Sequence, residues 1–473
     1  YAILYNFIVM GWVINAMASV VSVMLNMDKW TAVWLCVTIA VVYAILSGFW
    51  GVVITDIVQF FIAMFGSIAL AIIALNHVGG MDTLLQKLSS LLGTDIIHEN
   101  TLKFIPPIPD NSIGSLSFWE SPFSKFLIFI TVMWWSHHGT DGGGYIIQRM
   151  SSAKNEKHAL LATLWFNLAH YALRVWPWII VGVVSIVMFP VIPDSYSELG
   201  TKAGYPLVMN MLLGPGMKGI LIVSFLAAFM STIDTHLNWG ASYIINDIYK
   251  RFFKPNESEK HYVIVSKIIT VVLMILAAFT ALKMQSISKA WAFIFSMGAG
   301  IGLVLILRWF WWRINAWSEI TALSTSIVIT LLLESLAWWQ VSAKEGAYSL
   351  FGTEPVLFGI QIQVHHKLII IVPIAILSWL IATFITKPEP TEHLRKFYEK
   401  VQPGGWWGPI TANFNHSLQP VSKGILVQWV AGVMMIYGFT FGIGNLIFMQ
   451  YGNSILLLGC AFIGTFIIWN RSI

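Results

Sequence analysis

The sequence predicts an all-α, polytopic membrane protein with about 12 transmembrane helices, and three observations predict it. Of 473 residues, 57% are apolar and 10% charged, where a soluble domain carries about 25% charged residues. That is too little charge to cover a surface facing water. The mean hydropathy is +0.74. Apolar runs of roughly 20 residues, the length that crosses the hydrocarbon layer, recur along the chain. The composition excludes a cytosolic enzyme, a disordered chain and a secreted disulfide scaffold. Cys36 and Cys460 both lie inside apolar runs, so they offer no disulfide or zinc framework. The net charge of +5 comes without a dense basic run, so no nucleic-acid partner is expected.

The expected spans cover residues 2–26, 29–48, 51–76, 122–141, 156–189, 217–249, 261–284, 288–313, 316–341, 366–386, 423–448 and 452–470. Orientation follows from the basic residues. Arg149, Lys154 and Lys157 follow the fourth run, and Lys250, Arg251, Lys254 and Lys260 the sixth. Arg308 and Arg313 mark the end of the eighth; Lys387, Arg395, Lys396 and Lys400 follow the tenth. If every run crosses once, all four groups share one side, the cytoplasm. Segments 77–121 and 342–365 then face outward. Trp309, Trp311 and Trp312 fit an interfacial belt. Segment 387–422 carries Pro388, Pro390, Pro403, Gly404, Gly405, Pro409 and Pro420. It reads as a cytoplasmic linker before a terminal helical hairpin, 423–473. The chain begins at Tyr1, already inside an apolar run and without a signal peptide, and is expected to lack its natural N-terminus.

Ionisable and polar residues inside spans mark candidate function, because lipid makes them costly. In the sixth run Ala228, Ser231, Thr232, Asp234, Thr235 and Asn238 share one helical face. Hydroxyl, carboxylate and amide oxygens suit a small hard cation. The same hydroxyls could equally bond back to their own helix or join helices. Asp56 lies about 8 Å from the cytoplasmic start of the third run, and Asp234 roughly 26 Å below the outer start of the sixth. Both depths fall in the inner half of the bilayer, where two carboxylates could share a cation. Asp56 could also cap or snorkel near the interface. The fourth run ends in Ser136-His137-His138-Gly139-Thr140-Asp141 followed by three glycines. The glycines permit a kink and form no phosphate loop. Adjacent histidines point apart and do not share a metal, but Ser136 and His137 are candidates for a solvated cavity. In the fifth run Asn167, His170 and Arg174 share a face. Arg174 is expected to snorkel beside Trp176 and Trp178. His170 reads either as a structural donor or as a substrate contact. Glu319 and Glu334 are expected near helix ends or paired locally.

Four stretches resemble the sodium:solute symporter family of sodium–glucose, sodium–proline and sialic acid transporters. Gly48-Phe49-Trp50-Gly51-Val52-Val53-Ile54-Thr55-Asp56-Ile57-Val58-Gln59 is similar to its G-G-x-x-A/G-V-x-x-T-D-x-x-Q element. Tyr145-Ile146-Ile147-Gln148-Arg149, with Ser152-Ala153-Lys154, resembles its Q-R-x-x-A-A-K loop. Ala228 through Tyr249 resembles its A-x-x-S-S/T…D-x-Y helix. Phe397-Tyr398 with Pro403-Gly404-Gly405-Trp406-Trp407-Gly408-Pro409 resembles its cytoplasmic F-Y…P-x-G-x-G-P segment.

The resemblance implies a LeuT-type inverted-repeat helical core with alternating access around a midplane site. It divides the chain into a core, 1–313, peripheral helices, 314–386, the linker and the hairpin. Within the core, 1–76 is a partial first repeat, 77–121 an outer loop and 122–313 the second repeat. The first two core helices and one before them are expected to be missing. The resemblance places a main sodium site on the Ala228 carbonyl, Ser231 and Thr232. It places a second on Ser231, Asp234, Thr235 and Asp56, where a carboxylate at 234 would bind a cation more strongly or take a proton. Substrate contacts fall on Ser136, His170, Trp291 and Phe295, beside the His137 candidate. Phe295 stands where sugar transporters carry a sugar-bonding glutamine, and losing that partner weakens a hydroxyl-rich ligand. The solute class therefore stays open among sugars, amino acids, carboxylates and sialic acids.

The function expected is sodium-coupled symport of a small organic solute, in the cell (inner) membrane and among its lipids. No enzymatic activity and no organic cofactor are expected, only sodium as coupling ion. The alternatives are a transporter-like sensor and a passive carrier. Oligomeric state is not legible in these residues.

Overall fold

The computed structural model describes residues 1–46, 49–91, 93, 103–110, 113–284, 286–342, 353–412 and 423–472. Among them nine helices are long and apolar enough to cross a membrane. The pair Ile287–Met297 and Gly302–Phe310, bent by 43°, would make a tenth. The protein is thus a multi-pass helical membrane protein. Two of the twelve expected runs fall outside that count. The 29–48 run yields the helix Lys29–Leu46, whose apolar part is short. The 122–141 run is broken: Pro122–Ile128 and a π-turn, Phe129–Met133, lead into Trp134–Ser136, and the chain turns before Gly143–Ser151. Gln148 and Arg149, expected in a loop, therefore lie on a helix. The linker is not bare coil either, since Thr391–Val401 and Gly408–Thr411 are helical.

The chain forms two compact units. The first comprises Tyr1–Thr101, Arg174–Trp291 and Ser349–Gly352. Its long helices are Ala2–Leu25, Lys29–Leu46, Phe49–Val78, Pro215–Ser242 and Glu259–Lys283. One core joins Met10, Ile14 and Met17 to Val33, Cys36, Phe229, Ile233, Leu237 and Met274. Lipid offers helices no hydrophobic incentive to associate, so small residues must bring them together. Gly11 does so here: a Cβ would meet Thr280 Cγ2 at 2.8 Å. A second core packs Leu70, Ala71 and Ala74 against Val181, Val184, Val208 and Leu221.

A polar node sits inside this unit. The amide of fully buried Asn15 donates to the carbonyls of Ala281 and Met284, at 2.8 Å each. Its oxygen accepts from Lys202 Nζ at 2.9 Å. Lys202 lies on Asp194–Ala203, outside the spans. Burial, and then the nearby Lys29 ammonium, push Lys202 down to about 8. A lysine whose folded pKa is depressed disfavours the folded state while charged, and stability rises as pH climbs from the folded toward the unfolded pKa. The thermal midpoint is therefore expected to rise between about pH 8 and 10, by more in the native protein than in Lys202→Met. Parallel pH profiles for the two proteins would reject this role.

The second unit comprises Leu102–Leu173, Ala292–Tyr348 and Thr353–Ile473. The Ala316–Ser342 and Val364–Ile385 helices pack side by side, joined by a buried ion pair, Lys367 Nζ to Glu334 Oε1 at 2.7 Å. Glu334 thus finds its partner on the neighbouring helix rather than locally. Lys423–Ile447 and Tyr451–Ser472 pack closely against each other. Their closeness depends on glycine, since a Cβ at Gly438 would lie 2.7 Å from the Leu457 carbonyl.

The Pro-Gly-Gly-Trp-Trp-Gly-Pro stretch fastens to the end of the Gly302–Phe310 helix. Trp406 N donates to the Phe310 carbonyl at 2.6 Å, and Trp312 N to the Trp406 carbonyl at 3.3 Å. Gly405 sits at φ +103°, and a Cβ there would meet the same Phe310 carbonyl at 2.5 Å, so only glycine permits the clasp. Trp407 is buried among Leu394, Ile410 and Phe397, and its Nε1 donates to the Trp309 carbonyl at 3.1 Å.

Candidate functional site

The candidate ion ligands lie in the first unit on the Pro215–Ser242 helix. Asp234 is buried, while Ser231, Thr232 and Thr235 are half-buried. Thr232 Oγ1 donates to the Ala228 carbonyl and Thr235 Oγ1 to the Ser231 carbonyl, each at 3.0 Å. The back-bonding reading left open by the residues is therefore realised. It does not compete with a cation: a hydroxyl that has given its proton to a carbonyl still has lone pairs to offer. It also fixes where those lone pairs point. Ala228 O and Thr232 Oγ1, two of the three ligands in the main candidate set, are held 3.0 Å apart. Asn238, at the end of the stripe, is exposed. Asp56 lies outside the described side chains. The next face of the helix is structural: His236 Nδ1 and Asn6 Oδ1 are 2.6 Å apart.

The candidate solute residues divide. Trp291 belongs to the first unit and is 36% exposed. Ser136, His137, His170 and Phe295 belong to the second. Three of these four stand at or beside a helix break. The helix ending at Ser136 gives way to His137 in an extended conformation, and Gly142 and Gly143 both take positive φ. The turn is closed by Thr140 Oγ1 donating to the His137 carbonyl at 2.6 Å. Asp141 Oδ1 then accepts from Gly143 N at 3.0 Å and starts the next helix.

At the break the Ser136 hydroxyl is buried and has no hydrogen-bond partner among the described residues. Leaving such a hydroxyl unsatisfied costs about 1–3 kcal/mol, so it is the kind of group a ligand satisfies. The His137 ring stands edge-on to Phe295, centroids 4.7 Å apart. Its Nδ1 accepts from Gly139 N at 2.8 Å, which leaves Nε2 to carry the proton of a neutral ring. His170 falls in another group, stacked on Phe166 at 5.1 Å and edge-on to Tyr171 at 4.6 Å. It lies on a π-segment, Leu168–Leu173, and not on the regular helix assumed from spacing. Arg174, in the first unit, rests its guanidinium 5.1 Å over the Trp178 ring.

Two residues that sequence reasoning did not single out support the break. Arg308 donates to Asp141 Oδ2 at 2.7 Å and to Glu319 Oε1 at 3.1 Å. Read as part of a basic turn, it is instead on the Gly302–Phe310 helix and fixes the restart of the broken one. Gly302 is the other: a Cβ there would overlap the Trp135 carbonyl and lie 2.7 Å from the His137 carbonyl. The signal for Arg308 was an arginine inside an apolar run with Asp141 beside a glycine turn. Gly302 left no signal of its own. Arg308→Gln is expected to loosen the break, lowering the thermal midpoint by a few degrees, on the order of 1 kcal/mol for a half-exposed pair. A midpoint like the native protein's would reject the bracing role.

The comparisons with known proteins identify the family and the fold. The sodium:solute symporter family profile matches residues 1–328. The chain is 25% identical over 426 residues to sodium/glucose cotransporter 1 of Mus musculus, covering 84% of this chain and 62% of that protein. It is 23% identical over 321 residues to the sodium/proline symporter of Escherichia coli (strain K12), covering 66% and 58%. It therefore spans about 60% of the length of these curated relatives. Among solved structures, the substrate-bound outward-open state of a Na+-coupled sialic acid symporter superposes with a TM-score of 0.54. That match has 16% identity and covers 82% of this chain and 73% of the other, which establishes a shared LeuT-type fold. The chain belongs to the sodium:solute symporter family.

Proposed function

We propose that this protein uses inward sodium flow to drive uptake of a small organic solute by alternating access. The observation that carries the reading is the oxygen-rich stripe with its buried carboxylate, Asp234, on a membrane-crossing helix of a family member. The Ala228 carbonyl, Ser231 and Thr232 form the main sodium site. Ser231, Asp234 and Thr235, with Asp56, form a second. Ser136, His137 and Phe295 receive the solute, with His170 of the same unit as an outlying contact. A broken helix suits this work because its free ends offer dipoles and backbone groups to a ligand. Sodium and a small solute are the partners, and the chain acts in the cell membrane, its basic loops favouring an orientation with Lys154 and Lys157 on the cytoplasmic side.

Energetically the coupling is sufficient. One charge moving inward across 100 mV releases about 2.3 kcal/mol, which supports a roughly forty-fold solute gradient. The test is uptake of labelled sugars, amino acids, carboxylates and sialic acids by vesicles containing the full-length protein, with and without an inward sodium gradient. Accumulation only with the gradient is expected. Equilibration without sodium would make the protein a passive carrier, and sodium-dependent solute binding with no flux would make it a sensor.

A further inference from the structure

We infer that a cleft beside the broken helix binds a cytoplasmic-leaflet phospholipid whose headgroup carries a primary ammonium. The cleft has a volume of ≈ 730 Å³, within the roughly 300–1,000 Å³ of small-molecule sites. It lies wholly in the second unit. Ile147, Met150, Leu305, Ile306, Trp309 and Phe310 make its apolar walls. Its polar edge is Asp141, Ser151, Asn155 and Glu156. Two of those are engaged: Asp141 with Arg308 and Gly143 N, and Asn155 capping the next helix through His158 N at 2.9 Å. Glu156 remains exposed and outside any ion pair among the described residues.

Three features favour a lipid over water or a polar solute. The walls offer a polar solute almost nothing, and burying apolar chain against them is favourable. Ile147, Met150 and Trp309 are each 40–42% exposed, so the cleft is open. It also adjoins the Glu156–Asn167 helix, whose Leu160 and Trp165 are 51% and 61% exposed on a segment long and apolar enough to span a membrane. An acyl chain can enter from that surface without crossing water.

The rim then selects the headgroup. Lys154 and Lys157 flank Glu156 in sequence, and both are exposed. Two ammoniums and one carboxylate complement a zwitterion: the lysines take the phosphate, and Glu156 takes the headgroup nitrogen. An ethanolamine ammonium donates N–H bonds to a carboxylate. A choline nitrogen has no N–H to donate, so the site distinguishes the two.

The test uses the full-length protein in detergent, delipidated and then offered phosphatidylethanolamine or phosphatidylcholine with identical photoreactive acyl chains. Cross-links are mapped by peptide mass. The ethanolamine lipid should label 147–159 and 305–310, and the choline lipid about tenfold less, the value of one charge-assisted bond. Glu156→Gln should bring the first down to the second, and Ile306→Trp should reduce both by filling the cleft. Lys154→Ala with Lys157→Ala, remote from the packed walls, should weaken both without touching the fold. Equal labelling by the two lipids in the native protein, or labelling elsewhere, would overturn the proposal. So would protection of the cleft by a transported solute but not by lipid. None of these readouts depends on transport, so the lipid site and the symport reading fail separately.

Discussion

Replacing Gly302 with alanine is expected to remove a large share of this protein's stability. The added methyl group would meet backbone, not a side chain that can turn aside: the Trp135 carbonyl, the Ser136 carbonyl carbon at 2.5 Å and the His137 carbonyl oxygen at 2.7 Å. Overpacking a well-filled interior costs roughly 1–3 kcal/mol where side chains yield. Here the backbone of the break must move, so about 3 kcal/mol or more is expected, a large part of a typical stability of about 5–15 kcal/mol. The molecules that still fold should have a displaced break and should bind solute poorly, because Ser136 and His137 sit on the displaced segment. The check is the thermal midpoint and monodisperse yield in detergent, with solute binding on the surviving fraction. A native midpoint with native binding would mean that the close approach at Gly302 does not shape the site. Gly182 is the control, because a Cβ there meets nothing within 4 Å.

The second large effect is expected from Asp234→Asn. Asp234 is buried on the stripe that also presents Ser231 and Thr235. A carboxylate contributes to a bound cation through both charge and lone pairs, and an amide keeps only a lone pair. Charge-assisted contacts are worth about 1.5–3 kcal/mol, so the sodium concentration for half-maximal uptake should rise roughly ten- to a hundred-fold. Thr235→Ala removes a neutral hydroxyl and should raise it by about tenfold or less. The ordering matters more than either value. If Asp234 instead carries a proton in the cycle, the asparagine variant should lose the pH dependence of uptake while its sodium activation stays put. Unchanged sodium and pH dependence in a folded Asp234→Asn protein would remove the residue from the coupling site.

Much of the architecture was legible because lipid imposes simple rules on sequence. Length and apolarity sufficed for the runs around Ala2–Leu25, Ala316–Ser342 and Val364–Ile385, and helical spacing alone grouped Ser231, Asp234 and Thr235. What escaped was what depends on distant chain segments. Arg308 and Asp141 are 167 residues apart, and nothing local tells an arginine in an apolar run that it will brace a glycine turn. The contact of Gly302 with the 135–137 backbone depends on how two interrupted helices cross. Charge counting placed Arg308 in a turn because it registers residue type and position, not partners. The Lys29–Leu46 run was apolar enough to be read as a simple span although it is short, which composition does not show; the glycines after the 122–141 run signalled a possible kink, but not that the helix would stop at Ser136. Asn15 was passed over for a related reason. A lone amide in a span carries no motif, and its importance lies in joining Ala281, Met284 and Lys202.

The clasp formed by Gly405, Trp406 and Trp407 explains why a glycine- and tryptophan-rich stretch follows the Thr391–Val401 helix. It fastens the last turn of Gly302–Phe310 through backbone bonds to Phe310 and through the Trp407 indole. The same nine-residue helix meets the break at Gly302 and braces it at Arg308. One short rigid element thus connects the clasp to Ser136 and His137, and a shift at one end is transmitted over less than three turns.

The central claim is that sodium binds the 228–235 stripe and that its binding energises transport. Direct titration of sodium into the purified full-length protein, compared with the Ser231→Ala, Thr232→Ala double variant, tests it most directly. The account predicts saturable sodium binding in the native protein and loss of at least one bound ion in the variant, with potassium giving no competing signal. Sodium binding of equal affinity and stoichiometry in both proteins, each shown to be folded, would contradict it.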